Sequence, residues 1–364
     1  MTPRPAKCSH GDVVRLLGVE SLAITLLIVG GENYVGEVAP TGEITLSIAG
    51  RQFTFEGVSA DDVYLTSLQH GPDNAFETFC SHFFEPLSRD RVDGQRVLLD
   101  VGANIGVTAA ILSAYCPQAS VVAIEAGPGV VEVLQRNVRR NGLISVTPLH
   151  VAVGHREGVV QFFEESAFGH IVDDSDAPEV RKHGLTVDVE MRTIDSIVDD
   201  LERDSGVDAI DLVKVDIEGA EPAAIEGMQR TLEKFAPMLW VELNSWSLMS
   251  TGQHPISAVQ RIINGCAEVF RVGGTSSDPR FLRPVEGSDS LAIARSLVHD
   301  NVVVSRSWED IVIVPKGGQL PESLRQLADR PHDEINLLRE ELQSMQQSKI
   351  WRYSAPLRRL RHHL

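Results

Sequence analysis

Between residues 58 and 315 of this 364-residue chain, short apolar runs alternate with segments whose apolar residues recur at helical spacing. Arg96–Val101, Ser120–Glu125, Val146–Val153, Ile210–Ile217, Met238–Leu243, Val269–Val272 and Asp310–Val314 are the strand-like runs. Val107–Tyr115, Val130–Asn141, Thr193–Leu201, Ala220–Phe235 and Ile256–Cys266 are the helical ones. Strands that are apolar on both faces need cover on both sides. Strand–helix alternation of this kind predicts an α/β domain, a doubly wound and mostly parallel sheet between two helical layers. Pro148 interrupts the third run, which is unusual inside a sheet.

The flanks read differently. Residues 1–57 hold short runs (Val13–Leu17, Leu22–Val29, Tyr34–Val38, Ile44–Ile48, Gln52–Phe55) broken by glycine and proline, the pattern of a small β-rich module. Ser9–Gly18 also fits a helix. Residues 316–330, with Gly317, Gly318 and Pro321, read as a linker into a C-terminal helical tail. Ile335, Leu338, Leu342 and Met345 form one narrow apolar stripe there. The last segment, Ser348–Leu364, holds five Lys or Arg and no acid.

Composition removes several classes of function. A formal charge of -18 opposes binding to nucleic acid or an anionic membrane, except through the basic tail. Cys8, Cys80, Cys116 and Cys266 form no C-x-x-C pair, which excludes a zinc ribbon or thioredoxin-type site. The Ser21–Gly30 run is interrupted by Thr25 and is far short of the ~20 residues of a span. A cytoplasmic protein is expected.

The chemistry concentrates where strands end. Asp100-Val101-Gly102-Ala103-Asn104-Ile105-Gly106 is a strand feeding a glycine turn that opens a helix. Such turns line the ligand crevice of open α/β sheets. Asn104 stands where a dinucleotide site has its second glycine, the one that lets backbone approach a pyrophosphate. That argues for S-adenosylmethionine, which has no phosphate, over NAD. Glu125 ends the next strand, 23 residues after Gly102, where a carboxylate accepts ribose hydroxyls. In Val213-Lys214-Val215-Asp216-Ile217-Glu218-Gly219-Ala220-Glu221 another strand ends in an acid beside the same crevice. Glu218 and Glu221 also suit the start of the following helix, which has Pro222 in its first turn.

LLDVGANIGVTAA, AIEAGP, HVAVGHREG, LVKVDIEGAEPAAIEGM and LWVELN, in this order across residues 95–245, resemble the FkbM family of S-adenosylmethionine-dependent methyltransferases. The resemblance implies a seven-stranded, Rossmann-like methyltransferase sheet and transfer of a methyl group to oxygen, often on a sugar or natural product. It places Asp100, Gly102, Asn104 and Gly106 around the cofactor, Glu125 on the ribose, and Val151 or Ala152 beside the adenine. Asp216 falls where the methyl group is presented. Glu125-Ala126-Gly127-Pro128 departs from the Glu-Pro pair usual in the family but keeps the acid. His170 lies in a segment that covers the cofactor in relatives. The tail resembles those of bacterial surface-polysaccharide enzymes, which implies contact with an anionic membrane face or a glycosyltransferase complex.

An alcohol needs a general base before it attacks carbon. Asp216 is the first candidate, followed by Glu218 and His170, with Glu221 and Glu242 behind them. Asp216, Glu218 and Glu242 are hard-oxygen groups of the kind magnesium takes, but no metal ligands are assigned. Three alternatives stand beside the O-methyltransferase: an NAD-dependent oxidoreductase, a nucleic-acid methyltransferase and a non-catalytic assembly module. Asn104, the negative charge and the intact loop with its acids weigh against them in turn.

Overall fold

A computed structural model of the chain describes residues 42–59, 62–68, 74–89, 95–165, 168–172, 186–273 and 280–329, all within one compact unit, Asn33–Asn336. The expected strands before residue 42 and the C-terminal stripe and basic tail lie outside the described residues.

The described chain opens with an antiparallel hairpin, β1 (Glu43–Ile48) and β2 (Arg51–Glu56), then helices α1 (Val63–Ser67) and α2 (Asn74–Arg89). The alternating part follows as β3 (Gln95–Val101), α3 (Val107–Tyr115), β4 (Ser120–Glu125), α4 (Pro128–Arg140) and β5 (Val146–His150). Next come short strand β6 (Ala152–Val153), β7 (Gly158–Glu165), β8 (Phe168–Val172), β9 (Thr186–Arg192), α5 (Ile194–Ser205) and β10 (Val207–Val215). Then come α6 (Glu221–Glu226), α7 (Gln229–Phe235), β11 (Met238–Leu243), α8 (Ser245–Ser250), α9 (Pro255–Ile262) and β12 (Cys266–Val272). The last elements are β13 (Leu282–Pro284), α10 (Ser290–His299), a π-helical turn (Asp300–Ser305), β14 (Glu309–Pro315) and α11 (Glu322–Asp329).

Eight strands form the main sheet in the order β13-β12-β14-β11-β10-β3-β4-β5. The five from β11 to β5 are parallel, and β14 enters antiparallel between β11 and β12. The seven expected strands are present, with the three-residue β13 added at the edge. From β3 the chain steps outward through β4 and β5, then returns to the other side of β3 as β10, so the switch point lies between β3 and β10.

Burial follows the two-faced pattern. Val97, Leu99, Val101, Val213 and Val241 pack in one core cluster, and their neighbours Leu98, Leu212 and Trp240 in another. Phe76 and Phe79 of α2 set their rings 5.0 and 5.1 Å from that of Trp240. Pro148 is accommodated because β5 is an edge strand paired only with β4, where a missing N–H breaks no second ladder.

Four features differ from the sequence expectation. The helix expected over 220–235 breaks at Gly227, where a Cβ would lie 2.1 Å from the Gly154 carbonyl oxygen. Residues 152–192 build a second, four-stranded sheet in the order β6-β9-β7-β8. The hairpin shares the core of the large sheet: Ile44, Leu46, Phe53 and Phe55 pack in one cluster with Ile105, Ala109 and Leu134. The segment read as a linker carries α11, whose Leu324 and Ala328 are buried and whose Arg325 forms two 2.7 Å hydrogen bonds with Glu268 of β12.

Candidate active site

The site is assembled along the ends of β3, β4, β10 and β11. Register decides which side chains meet. Asp100 pairs with Lys214, and Lys214 with Trp240 on the next strand. One step further along sit Gly102, Asp216 and Glu242, and Glu242 pairs with Asp310 of β14.

The glycine turn is fixed by close backbone approach. Gly102 has φ +82°, and a Cβ there would lie 1.8 Å from the Asp216 carbonyl oxygen. No other residue fits. Its N–H and that of Ala103 both donate to the Ile124 carbonyl at 2.9 Å, tying the turn to β4. Asn104, at φ +49°, occupies the left-handed region that asparagine tolerates better than most residues. Its N–H donates to Glu125 Oε2 at 2.9 Å, and the Gly127 N–H donates to Glu125 Oε1 at 2.8 Å. A carboxylate has about four lone-pair positions, so Glu125 keeps acceptor capacity after orienting the loop. Burial raises its pKa against those backbone donors. Gly106, φ +96°, opens α3 beneath Leu134.

Behind the loop, Asn137 of α4 donates through Nδ2 to the Ile105 carbonyl at 2.9 Å and the Glu56 carbonyl at 3.0 Å, and accepts the Glu56 N–H at 2.9 Å. The β2 strand therefore braces the glycine loop through one buried amide.

At the switch point a charged group lies inside the sheet. Lys214 is buried, and its Nζ donates to Asp216 Oδ2 at 3.0 Å and the Gly102 carbonyl at 3.2 Å. It stands 3.8 Å from Asp100 Oδ1. Burial opposes the ammonium, but Asp216 and Asp100 outweigh it and hold the pKa above the lysine range. Asp100 is fully buried, and neither carboxylate oxygen has a hydrogen-bond donor. Burial pushes its pKa up to about 6, with Asp216 and Glu125 adding and Lys214 opposing.

The carboxylates on the β10–β11 side have different roles. Glu221 is buried and its Oε1 accepts the N–H groups of Ile217 and Gly219 at 3.1 and 3.0 Å, so it shapes the turn after β10. Burial pushes it up to about 7. Glu218, at φ +50°, accepts the Ser247 hydroxyl at 2.8 Å. Among the described residues Glu242 accepts no hydrogen bond; burial first, then Asp216, Asp310 and Glu218, push its pKa to about 10. Among the described residues no group of three His, Cys, Asp or Glu is arranged to hold a metal ion.

Asp100, Gly102, Asn104, Gly106, Glu125, Asp216 and Glu218 thus lie along one edge of the sheet. Val151 and Ala152 are buried, Val151 in the main core and Ala152 against Phe162 and Met191, so their side chains are occupied in packing. His170 lies on β8 opposite Phe163, in the second sheet. Lys214 and Asp310 were not singled out from sequence. The signal for Lys214 was available: a cation in a strand whose other inward residues are apolar, with an acid two residues on.

Comparison with known proteins bears on this edge. Residues 100–256 match the methyltransferase FkbM domain. The FkbM match starts at Asp100 and takes in the glycine loop, Glu125, Lys214, Asp216 and Glu242; it excludes the hairpin and β14. Methyltransferase sdnD of Sordaria araneosa is 30% identical over 157 residues, 36% of this chain; the chain spans 60% of that relative's length. Methyltransferase FkbM from Methylobacillus flagellatus KT aligns at 16% identity and TM-score 0.33, over 64% of this chain and 47% of that one. The bifunctional kinase-methyltransferase WbdD aligns at 13% identity and TM-score 0.34, over 69% and 41%.

Proposed function

We propose that the protein is an S-adenosylmethionine-dependent methyltransferase that methylates a hydroxyl oxygen of a sugar, glycan or natural product. The observation that carries this reading is the holding of Glu125 by the N–H groups of Asn104 and Gly127, next to the Gly102 turn that lies against Asp216. The residues fit the cofactor. Glu125 has lone pairs for two ribose hydroxyls, the unmet oxygens of Asp100 supply acceptor capacity near the methionine end, and Gly102 lets the loop close on the Asp216 carbonyl. When bound, S-adenosylmethionine supplies a methyl group made electrophilic by its sulfonium.

The chain's own residues bind, orient and take up a proton. Lys214 ties Asp216 to the Gly102 carbonyl, so the carboxylate and the loop are set against each other before any ligand arrives. Alignment of this kind is worth ~7–11 kcal/mol in displacement chemistry. Asp216 receives the acceptor's proton in this reading, with Glu218 next in the row. A role in surface-polysaccharide biosynthesis is favoured by the pattern of the basic tail.

Calorimetric titration with S-adenosylhomocysteine and with NAD tests the cofactor. Binding of the first and not the second is expected; the reverse would replace the reading with an oxidoreductase. Asp216→Asn should then abolish methyl transfer to glycan acceptors, followed by mass spectrometry.

A further inference from the structure

Seven large apolar side chains are exposed among the described residues, and five of them (Trp246, Met249, Val303, Val304 and Trp308) come from two short segments. These are α8 and the π-helical turn with the approach to β14. Both tryptophans are more than half exposed, Trp246 by 53% and Trp308 by 51%. Indoles are costly to leave in water, and a concentration of such residues marks a binding surface.

The hydrogen bonds place this patch at the active edge. Leu243 pairs with Glu309, so the chain leaves β11 and enters β14 at the same point, with Trp308 directly before Glu309. Asn301, fully buried in the π-helical turn, accepts the Ser245 N–H at 2.9 Å and donates to the carbonyls of Leu243, at 3.1 Å, and Ser307. One side chain thereby holds the residue before Trp246 and the residue before Trp308. On its other side α8 is tied to the turn after Asp216. The Ser247 hydroxyl donates to Glu218, and Gln253 Nε2 donates to the Gly219 carbonyl at 2.6 Å. π-Helical turns are rare and concentrate at functional sites.

Resting on the methyltransferase reading, we infer that this corner is the acceptor subsite, and that it takes the apolar face of an uncharged ring whose hydroxyls turn toward Asp216, Glu218 and Glu242. Flat indole faces suit a ring. Asp216 and Glu218, as carboxylates, accept O–H hydrogen bonds and repel anions, which selects a neutral polyhydroxylated acceptor over an acidic one. A saccharide and a polycyclic alcohol share this chemistry.

The test uses the full chain with S-adenosylhomocysteine present and saturation-transfer NMR. The probes are the methyl pyranosides of the common hexoses and deoxyhexoses, the matching hexuronic acids, and an uncharged polycyclic alcohol. Binding is expected in a neutral arm, and the arm that saturates separates a sugar from a polycycle. The matching acids should bind about tenfold more weakly, and Trp246→Ala and Trp308→Ala should each weaken the neutral probe about tenfold. Calorimetric affinity for S-adenosylhomocysteine should stay within about twofold in both variants. No binding by any neutral probe, or equal binding by both variants, overturns the subsite. So does loss of sedimentation with phosphatidylcholine vesicles in the variants without loss of probe binding, which would reassign the patch to a lipid surface. If the unsubstituted chain binds no S-adenosylhomocysteine, the cofactor reading itself has failed, and the subsite goes with it.

Discussion

Glu125 and Glu242 sit at or beside the ends of two parallel strands in the same sheet, and both have raised pKa values with burial as the first cause. Their surroundings differ. Two backbone N–H groups meet Glu125, one on each oxygen. Among the described residues no donor meets Glu242, which faces Asp216, Asp310 and Glu218. The contrast separates two kinds of binding surface. On the β3–β4 side the protein has already arranged the polar contacts, as a site for a constant ligand requires. On the β11–β14 side it crowds carboxyl groups until Glu242 favours its proton, and leaves two indoles in water.

The contrast can be broken by substitution. Lys214→Met removes the cation shared by both sides and leaves Asp100 buried beside Asp216. Breaking a buried pair from one end costs about 3–5 kcal/mol, readable as a lower urea midpoint; a loss under about 1 kcal/mol would mean that the clamp does not hold the two sides together. Glu221, like Glu125, accepts two backbone N–H groups, but both on one oxygen, and it is more deeply buried. Its folded pKa, about 7, lies above its ordinary value of 4.5, so its contribution is complete below pH 4.5 and is lost as pH rises through 7. At 1.36 kcal/mol per unit this amounts to up to about 3 kcal/mol. Glu221→Gln should flatten the fall in thermal midpoint across that window, and an unchanged slope would show that the two N–H groups outweigh burial.

Glu125→Gln puts an amide NH2 against one of two N–H donors. It should cost about 1–3 kcal/mol and weaken S-adenosylhomocysteine in calorimetry. Glu242→Gln resembles the protonated form that the site already favours at neutral pH, and should alter stability by less than about 0.5 kcal/mol. Equal losses from these two glutamine variants would erase the distinction.

The loop and the strands of the large sheet were legible because each rests on local chemistry. Gly102 can only be glycine, and strands apolar on both faces can only be interior. Glu125 and Asp216 were legible as acids ending such strands. The second sheet was missed because Gly158–Glu165 mixes apolar and acidic residues without a strict alternation; Thr186–Arg192 does alternate strictly, a strand signal that was available. The broken helix at Gly227 was invisible because its cause, the Gly154 carbonyl, lies far away in sequence. The same holds for the π-helical turn, since its purpose is a hydrogen-bond set between Asn301 and residues 243–245 that no periodicity encodes. Seen alone, α11 is one short turn-rich stretch after two glycines, and only Glu268 and the buried seat of Leu324 make it a helix worth forming.

Asn137 couples the amino-terminal hairpin to the glycine loop from a distant part of the chain. Because the same amide grips Glu56 on one strand and the Ile105 carbonyl inside the glycine loop, removing the hairpin alone would loosen that bend. A chain cut back to the matched domain would lose far more, because most of the interior strand β3 and all of β12 and β14 lie outside it.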